Sequence, residues 1–137
     1  MSTYGATLNY LNKNIREVFA TEFFEDHQSG EMINGVLNQD VQKTSFSDCS
    51  LDIITSNQVF EHVPDNSKAF LECHRILKPG GVLIFSVPMY DIPSTIKLAK
   101  ISQGKLKLLV EPPEFHGSRT TGGNSVLTFW KHSKNDI

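Results

Sequence analysis

Glu61 and His62, adjacent in QVFEHVPD (Gln58 to Asp65), offer the strongest acid–base chemistry in the chain. Imidazole titrates near neutrality, so His62 can accept a proton from a substrate nucleophile, and a neighbouring carboxylate can orient it. The pair can equally serve only to fix a loop ahead of a helix, and both readings stand. Glu22 closes the run REVFAT (Arg16 to Thr21). A carboxylate just past a strand can accept both ribose hydroxyls of a nucleotide. Its structural alternative is a solvated loop acid, and Glu25 and Asp26 are weaker competitors for the role. Asp40 follows GVLN (Gly35 to Asn38) in the same way, with a helix cap or turn as its alternative. No metal site is expected. Cys49, Cys73, His62, His74 and His116 form neither HExxH nor paired CxxC, and Cys73 and His74 point apart on a helix. No G-x-S-x-G elbow of an α/β-hydrolase occurs either.

Such groups need a scaffold that gathers strand ends, and the patterning predicts an α/β fold with a mainly parallel sheet flanked by helices. LDIITS (Leu51 to Ser56) is a short apolar run of the buried-strand type. SKAFLECHRIL (Ser67 to Leu77) places Phe70, Cys73, Ile76 and Leu77 on one helical stripe, with packing expected through Phe70, Cys73 and Leu77. Lys78-Pro79-Gly80-Gly81 ends that helix, and VLIFSV (Val82 to Val87) is a second buried strand. The unit is βαβ, with the loop from Asn57 at the carboxyl end of its first strand, where open α/β sheets place ligands. Arg16–Thr21 and Gly35–Asn38 read as further strands, and residues 4–14 as a helix through Tyr4, Leu8, Leu11 and Ile15. Phe23–Asn34 reads as a polar loop and Gln42–Ser50 as a connection. Thr95–Ile101 suggests a helix and Leu106–Val110 a short apolar segment. EPPEFHGSRTTGG (Glu111 to Gly123) reads as loop, Val126–Trp130 as a strand or helix start, and residues 131–137 as a frayed tail.

The core also carries a family resemblance. The pattern D-x-I-x-x-x-x-V-x-E-H-V-P-D from Asp52, a helix, then R-x-L-K-P-G-G-x-L-x-F-S-V-P from Arg75 resembles the middle of a class I S-adenosylmethionine-dependent methyltransferase of the type 11 group. The likeness covers Arg16–Pro88, and more loosely reaches Gly117. It implies a partial Rossmann-like methyltransferase fold with S-adenosylmethionine as methyl donor. It assigns Glu22 to the ribose, Asp40 to the adenine amino group, the Val41 backbone to a ring nitrogen, and Asn57, Gln58 and Val59 to the methionine portion. His62 becomes a candidate base, although methyl transfer from a sulfonium often needs positioning rather than a base. Residues 89–125, with Tyr90, Asp91, Glu114, Phe115 and His116, fall on the side of the acceptor, a small molecule or other unidentified nucleophile at O, N or C.

The family's glycine-rich turn, roughly [DE]-x-G-x-G-x-G, has no counterpart in Met1–Asn34. The resemblance therefore implies the central part of a domain, weak cofactor binding, and Arg16–Thr21 and Leu51–Ser56 flanking the place of a missing strand. Direct pairing of the two, self-association, or dependence on an absent N-terminal segment would each relieve that gap. A non-catalytic, partner-dependent module with this fold is the alternative function. A nucleotide-binding protein of another class, such as a dehydrogenase, is disfavoured by EHVPD and LKPGG.

Composition narrows the rest. A chain of 137 residues, 39% hydrophobic and 20% charged, suits a single domain. Net charge −2 and pI about 6.2 argue against a general nucleic-acid binder. No apolar run nears the ~18 residues of a membrane helix, and the N-terminus lacks a signal-peptide pattern. Two cysteines without CxxC spacing suggest free thiols and a cytoplasmic setting.

Overall fold

Short strands, tight turns and one amphipathic helix dominate the computed structural model, which describes residues 6–117 and 125–136. Tyr4, Gly122, Gly123 and part of the expected 111–123 loop lie outside those residues. Contacts divide the chain into two units: residues 1–57 with 67–85, and residues 58–66 with 86–137. Among the described residues, no helix is long and apolar enough to cross a membrane.

The first unit runs α1 (Ala6–Asn14), β1 (Thr21–Glu22), β2 (Met32–Ile33), β3 (Val36–Asn38), β4 (Leu51–Asn57), α2 (Asn66–Ile76) and β5 (Leu77–Ser86). One three-stranded sheet has the order β1-β3-β2. β1 lies parallel to β3, with Thr21 opposite Leu37 and Glu22 opposite Asn38. β2 is antiparallel, pairing Ile33 with Val36 around Asn34 and Gly35. Both turn residues have positive φ, 49° and 82°, the demand of a two-residue hairpin turn that Asn-Gly meets at low cost. The expected strand Arg16–Thr21 is thus reduced to Thr21–Glu22, and the expected 23–34 loop contains a strand.

β4 and β5 form a separate pair. Their contacts advance in the same sense, from Ser50 N–H on the Ile76 carbonyl to Gln58 N–H on the Ser86 carbonyl, as in a parallel pair. Helix α2 between them completes the expected βαβ unit. It ends at Ile76, and KPGG is taken up by β5, where Gly80 has φ 81°. Its buried residues are Ala69, Cys73 and Ile76. Phe70 instead lies toward the surface, edge-on to Phe85, and Leu77 belongs to β5. The strands are not buried on both faces: Ile53 is 50% and Ile84 57% exposed. Among the described residues, five small sheets of mixed direction stand in place of the expected mainly parallel sheet, and the two longest strands, β4 and β5, pair only with each other.

Polar clamps do much of the fastening. Glu72 on α2 accepts from Thr44 N–H at 2.7 Å, Thr44 Oγ1 at 2.8 Å, and Arg75 Nε and Nη2 at 2.8 and 2.6 Å. Arg75 also donates to the Phe46 carbonyl and to Asp48. The loop ahead of β4 is thereby fixed to the helix after it. A second clamp is Asn38, fully buried at the end of β3. Its Oδ1 accepts Phe24 N–H at 2.8 Å, and its Nδ2 donates to the His27 and Gln28 carbonyls at 2.8 and 3.1 Å. This holds the loop that follows Glu22.

The second unit holds a 3₁₀ turn (Phe60–His62) and β6 (Met89–Tyr90), β7 (Ile96–Lys97), β8 (Ala99–Ser102), β9 (Lys105–Leu108), β10 (Phe115–Gly117), β11 (Ser125–Leu127) and β12 (Trp130–Ser133). β12 lies between β6 and β7, parallel to the first and antiparallel to the second. The expected helix Thr95–Ile101 is two strands. β8 turns into β9 through Gln103 and Gly104, again both at positive φ. The expected tail is not frayed at 131–133: Ser133 is fully buried, and its Oγ donates to the Ile92 carbonyl at 2.6 Å. Part of the expected 111–123 loop is β10, paired antiparallel with β11.

Two predictions follow from the clamps. The donors around Glu72, Arg75 first, hold its carboxyl down to about 2. A depressed acid stabilises the fold above its unfolded pKa, about 4.5, and loses that contribution as pH falls toward 2. Glu72→Gln should cost about 2 kcal/mol at pH 7, with the gap to wild type shrinking below pH 4.5; urea unfolding across pH checks both. Asn38→Ala should lower stability by a similar amount, about 2 kcal/mol, and speed proteolysis within residues 23–31. Asn38→Asp should do no better, since a carboxylate would face the two carbonyls. Unchanged cleavage in both variants would refute the clamp.

Candidate functional site

The parallel pairing of β1 and β3 sets Glu22 and Asp40 on one sheet edge. Glu22 is opposite Asn38, and Asp40 lies two residues beyond, so both acids emerge at the carboxyl ends of neighbouring strands. The Glu22 carbonyl accepts Gln39 N–H at 2.8 Å. Burial raises the Glu22 carboxyl above its ordinary value, while a hydrogen bond from Phe23 N–H opposes the rise. Asp40 closes a turn on itself: Oδ1 accepts Gln42 N–H at 2.9 Å. Val41 is buried. The Gln42 Nε2 also donates to Oδ1 at 3.2 Å and lies 3.4 Å from Oδ2, so Asp40 shows the turn chemistry read from the sequence.

Asn57 ends β4 in the other sheet of the first unit. Gln58 follows at φ 51°, and Val59 caps the 3₁₀ turn. The left-handed step at Gln58 turns the chain out of the strand. These three residues belong to the strand-end loop that was expected, but strand pairing joins only Glu22 and Asp40 on a common edge.

A groove of about 510 Å³ lies in the first unit between residues 15–21 and Leu51–Thr55, with Leu11, Phe46 and Ile76 in its wall. Among the described residues, Arg16–Ala20 form no strand and the sheets pair β4 with β5. Phe19 and Ile53 remain half-exposed beside the groove.

In the second unit the 3₁₀ turn presents Glu61 and His62. Phe129 N–H donates to the Glu61 carbonyl at 2.7 Å, and the Trp130 indole donates to the Val63 carbonyl at 2.8 Å. His62 Nδ1 lies 2.8 Å from the Leu127 carbonyl. The Glu61 side chain is 1% exposed, neither oxygen meets a hydrogen-bond partner from another described residue, and burial pushes its carboxyl up to about 7 against the pull of its own backbone N–H. Burial also lowers His62, against the pull of the Leu127 carbonyl. A neutral imidazole beside an acid of raised pKa is a competent proton-handling pair. His116 on β10 joins it, edge-on to His62 with ring centres 5.2 Å apart. Sequence reasoning named His116 with His62 only in a metal set that it discounted, and placed it otherwise on the acceptor side; the pairing of β10 with β11 is not visible in local pattern.

Residues 2–85 match the family described as "Methyltransferase domain". The chain is 24% identical over 132 residues to a sarcosine/dimethylglycine N-methyltransferase of Halorhodospira halochloris, covering 95% of this chain and 47% of that protein. A malonyl-[acyl-carrier protein] O-methyltransferase of Methylococcus capsulatus is 36% identical over 64 residues, covering 47% and 23%. Another, from Coxiella burnetii, is 51% identical over 41 residues, covering 30% and 14%. The chain thus spans less than half the length of these relatives. No solved structure gives a significant match. With the βαβ unit and the paired acids at a parallel strand edge, the match over most of the chain shows that it belongs to the class I methyltransferase-domain family.

Proposed function

We propose that this chain supplies nucleoside recognition to an S-adenosylmethionine-dependent methyl transfer. The observation that carries the reading is the shared edge of Glu22 and Asp40. Both are acceptors, and the nucleoside presents donors to them: ribose hydroxyls for Glu22 and the adenine amino group for Asp40, with the Val41 N–H toward a ring nitrogen. The donor-acceptor chemistry therefore fits the adenosine end. Asn57, Gln58 and Val59 would flank the methionine end, which has no glycine-rich cradle in this sequence. When bound, the cofactor supplies an electrophilic methyl group on sulfur. The chain's own residues would orient it, with His62 as the group that can hold a proton from an O, N or C acceptor. The relatives' names include both O- and N-methyltransferases, and the acceptor class stays as broad as that.

A partner-dependent module is the second reading, favoured by the open groove between residues 15–21 and β4. An apolar strand from a second chain would satisfy it.

Calorimetry with S-adenosylmethionine and S-adenosylhomocysteine tests the first reading. Binding should be weaker than micromolar, and Glu22→Gln and Asp40→Asn should each weaken it roughly tenfold, the loss of about one charged hydrogen bond. It should also weaken as pH falls through the raised pKa of Glu22, because only the carboxylate accepts from both hydroxyls. Sub-micromolar binding would contradict the missing cradle. Binding that ignores both substitutions would remove the assignment. Sedimentation on the same sample addresses the second reading: a stable monomer turning over at ~1 per second would exclude it.

A further inference from the structure

Three residues with metal-ligating atoms meet in the second unit although their spacing fits no standard motif. We propose that Glu61, His62 and His116 bind one divalent transition-metal cation of the zinc class, through a Glu61 carboxylate oxygen, His62 Nε2 and His116 Nδ1.

The ligand atoms all lie within 4.8 Å of one another. His62 Nε2 is 3.9 Å and His116 Nδ1 4.0 Å from Glu61 Oε1. Around zinc, ligand atoms at 2.0–2.2 Å stand about 3.3 Å apart, so small side-chain rotations bring the cluster to coordination distance. The tautomer is already set. A carbonyl only accepts, so the Leu127 carbonyl 2.8 Å away fixes the proton on His62 Nδ1 and leaves the Nε2 lone pair toward Glu61. Backbone carbonyls orient metal-bound histidines in the same way.

Glu61 supplies the independent argument. A buried carboxyl whose oxygens meet no donor from another described residue is costly, and a cation would satisfy it. The two imidazoles are half-buried rather than sealed, which leaves an approach for an ion. Two nitrogens and one oxygen suit zinc, cobalt or nickel over magnesium or calcium, which take oxygen sets. Three protein ligands leave a fourth position open to water or an anionic ligand. The site shares His62 with the methyl-transfer reading, since an ion on Nε2 would occupy the lone pair proposed there to hold a proton, but it is tested without the cofactor.

The metal-stripped full chain is titrated with Zn²⁺ by calorimetry and with Co²⁺ by visible absorption. One equivalent should bind, with cobalt d–d bands and no thiolate charge-transfer band. Glu61→Gln and His116→Ala should each weaken binding at least about tenfold. His27→Ala, in the separate His27–Glu31 pair, should not. Zn²⁺ should raise the melting temperature of wild type and not of His116→Ala. If Glu61→Gln fails to fold, His116→Ala, on a more exposed side chain, carries the same test. Absence of saturable binding, unchanged affinity in His116→Ala, or a thiolate band placing the ion on Cys49 would each overturn the site. Displacement of Zn²⁺ by equimolar Mg²⁺ would overturn the choice of metal class.

Discussion

The amide of Asn38 is where strand pairing and loop placement meet. Its backbone N–H donates to the Glu31 carbonyl and its carbonyl accepts Gly30 N–H, while its side chain holds Phe24 N–H and the His27 and Gln28 carbonyls of the loop that leaves Glu22. An amide suits this place because it both donates and accepts. Leucine of similar volume would leave Phe24 N–H and two carbonyls to find water. The path of the loop that leaves Glu22 thus rests on one buried polar side chain.

The same solution recurs at Glu72 and Arg75, and the reason is the thin core. Buried apolar side chains of the first unit are few, Val41, Ile54, Ala69, Cys73 and Ile76 among them. Leu71, Val82 and Ile84 stay exposed. With a two-stranded sheet under one helix, only one face is covered. Burial is non-directional and cannot choose a loop path. Directional bonds from Thr44, Phe46 and Asp48 to the helix make that choice, and they set where β4 begins.

How much of this was legible follows the range of the interactions. The βαβ unit from Leu51 to Ser86 was readable because period, stop signal and strand composition are local. Glu22 and Asp40 were readable as acids at or just past strand ends, and the parallel pairing of β1 and β3 makes those strands neighbours. The Asn34-Gly35 and Gln103-Gly104 turns were also local signals. The first was passed over inside a polar segment, and the second was hidden behind the helical spacing of Ile96, Leu98 and Ala99. The burial of Ser133 and the convergence of His116 on Glu61 were not legible. Both depend on partners far along the chain, Ile92 for one and the β10–β11 pairing for the other.

Three carboxylates show how local donors divide structural from chemical roles. Glu72 is saturated with donors and held down to about 2, so it stays charged and works as a clamp at any ordinary pH. Glu22 is partly buried with one backbone donor, and its pKa rises. It retains acceptor capacity for donors from outside the chain. Glu61 is the most deeply buried of the three, and neither oxygen meets a donor from another described residue. Desolvation without compensation disfavours the anion, and a fold that needed only packing there would place an apolar side chain. The 3₁₀ turn instead fixes the Glu61 backbone through Phe129 and aims its carboxyl toward two imidazoles. Moving from Glu72 to Glu61, the protein withdraws its own donors from the acid, and the acid becomes correspondingly available to a proton, a cation or a ligand.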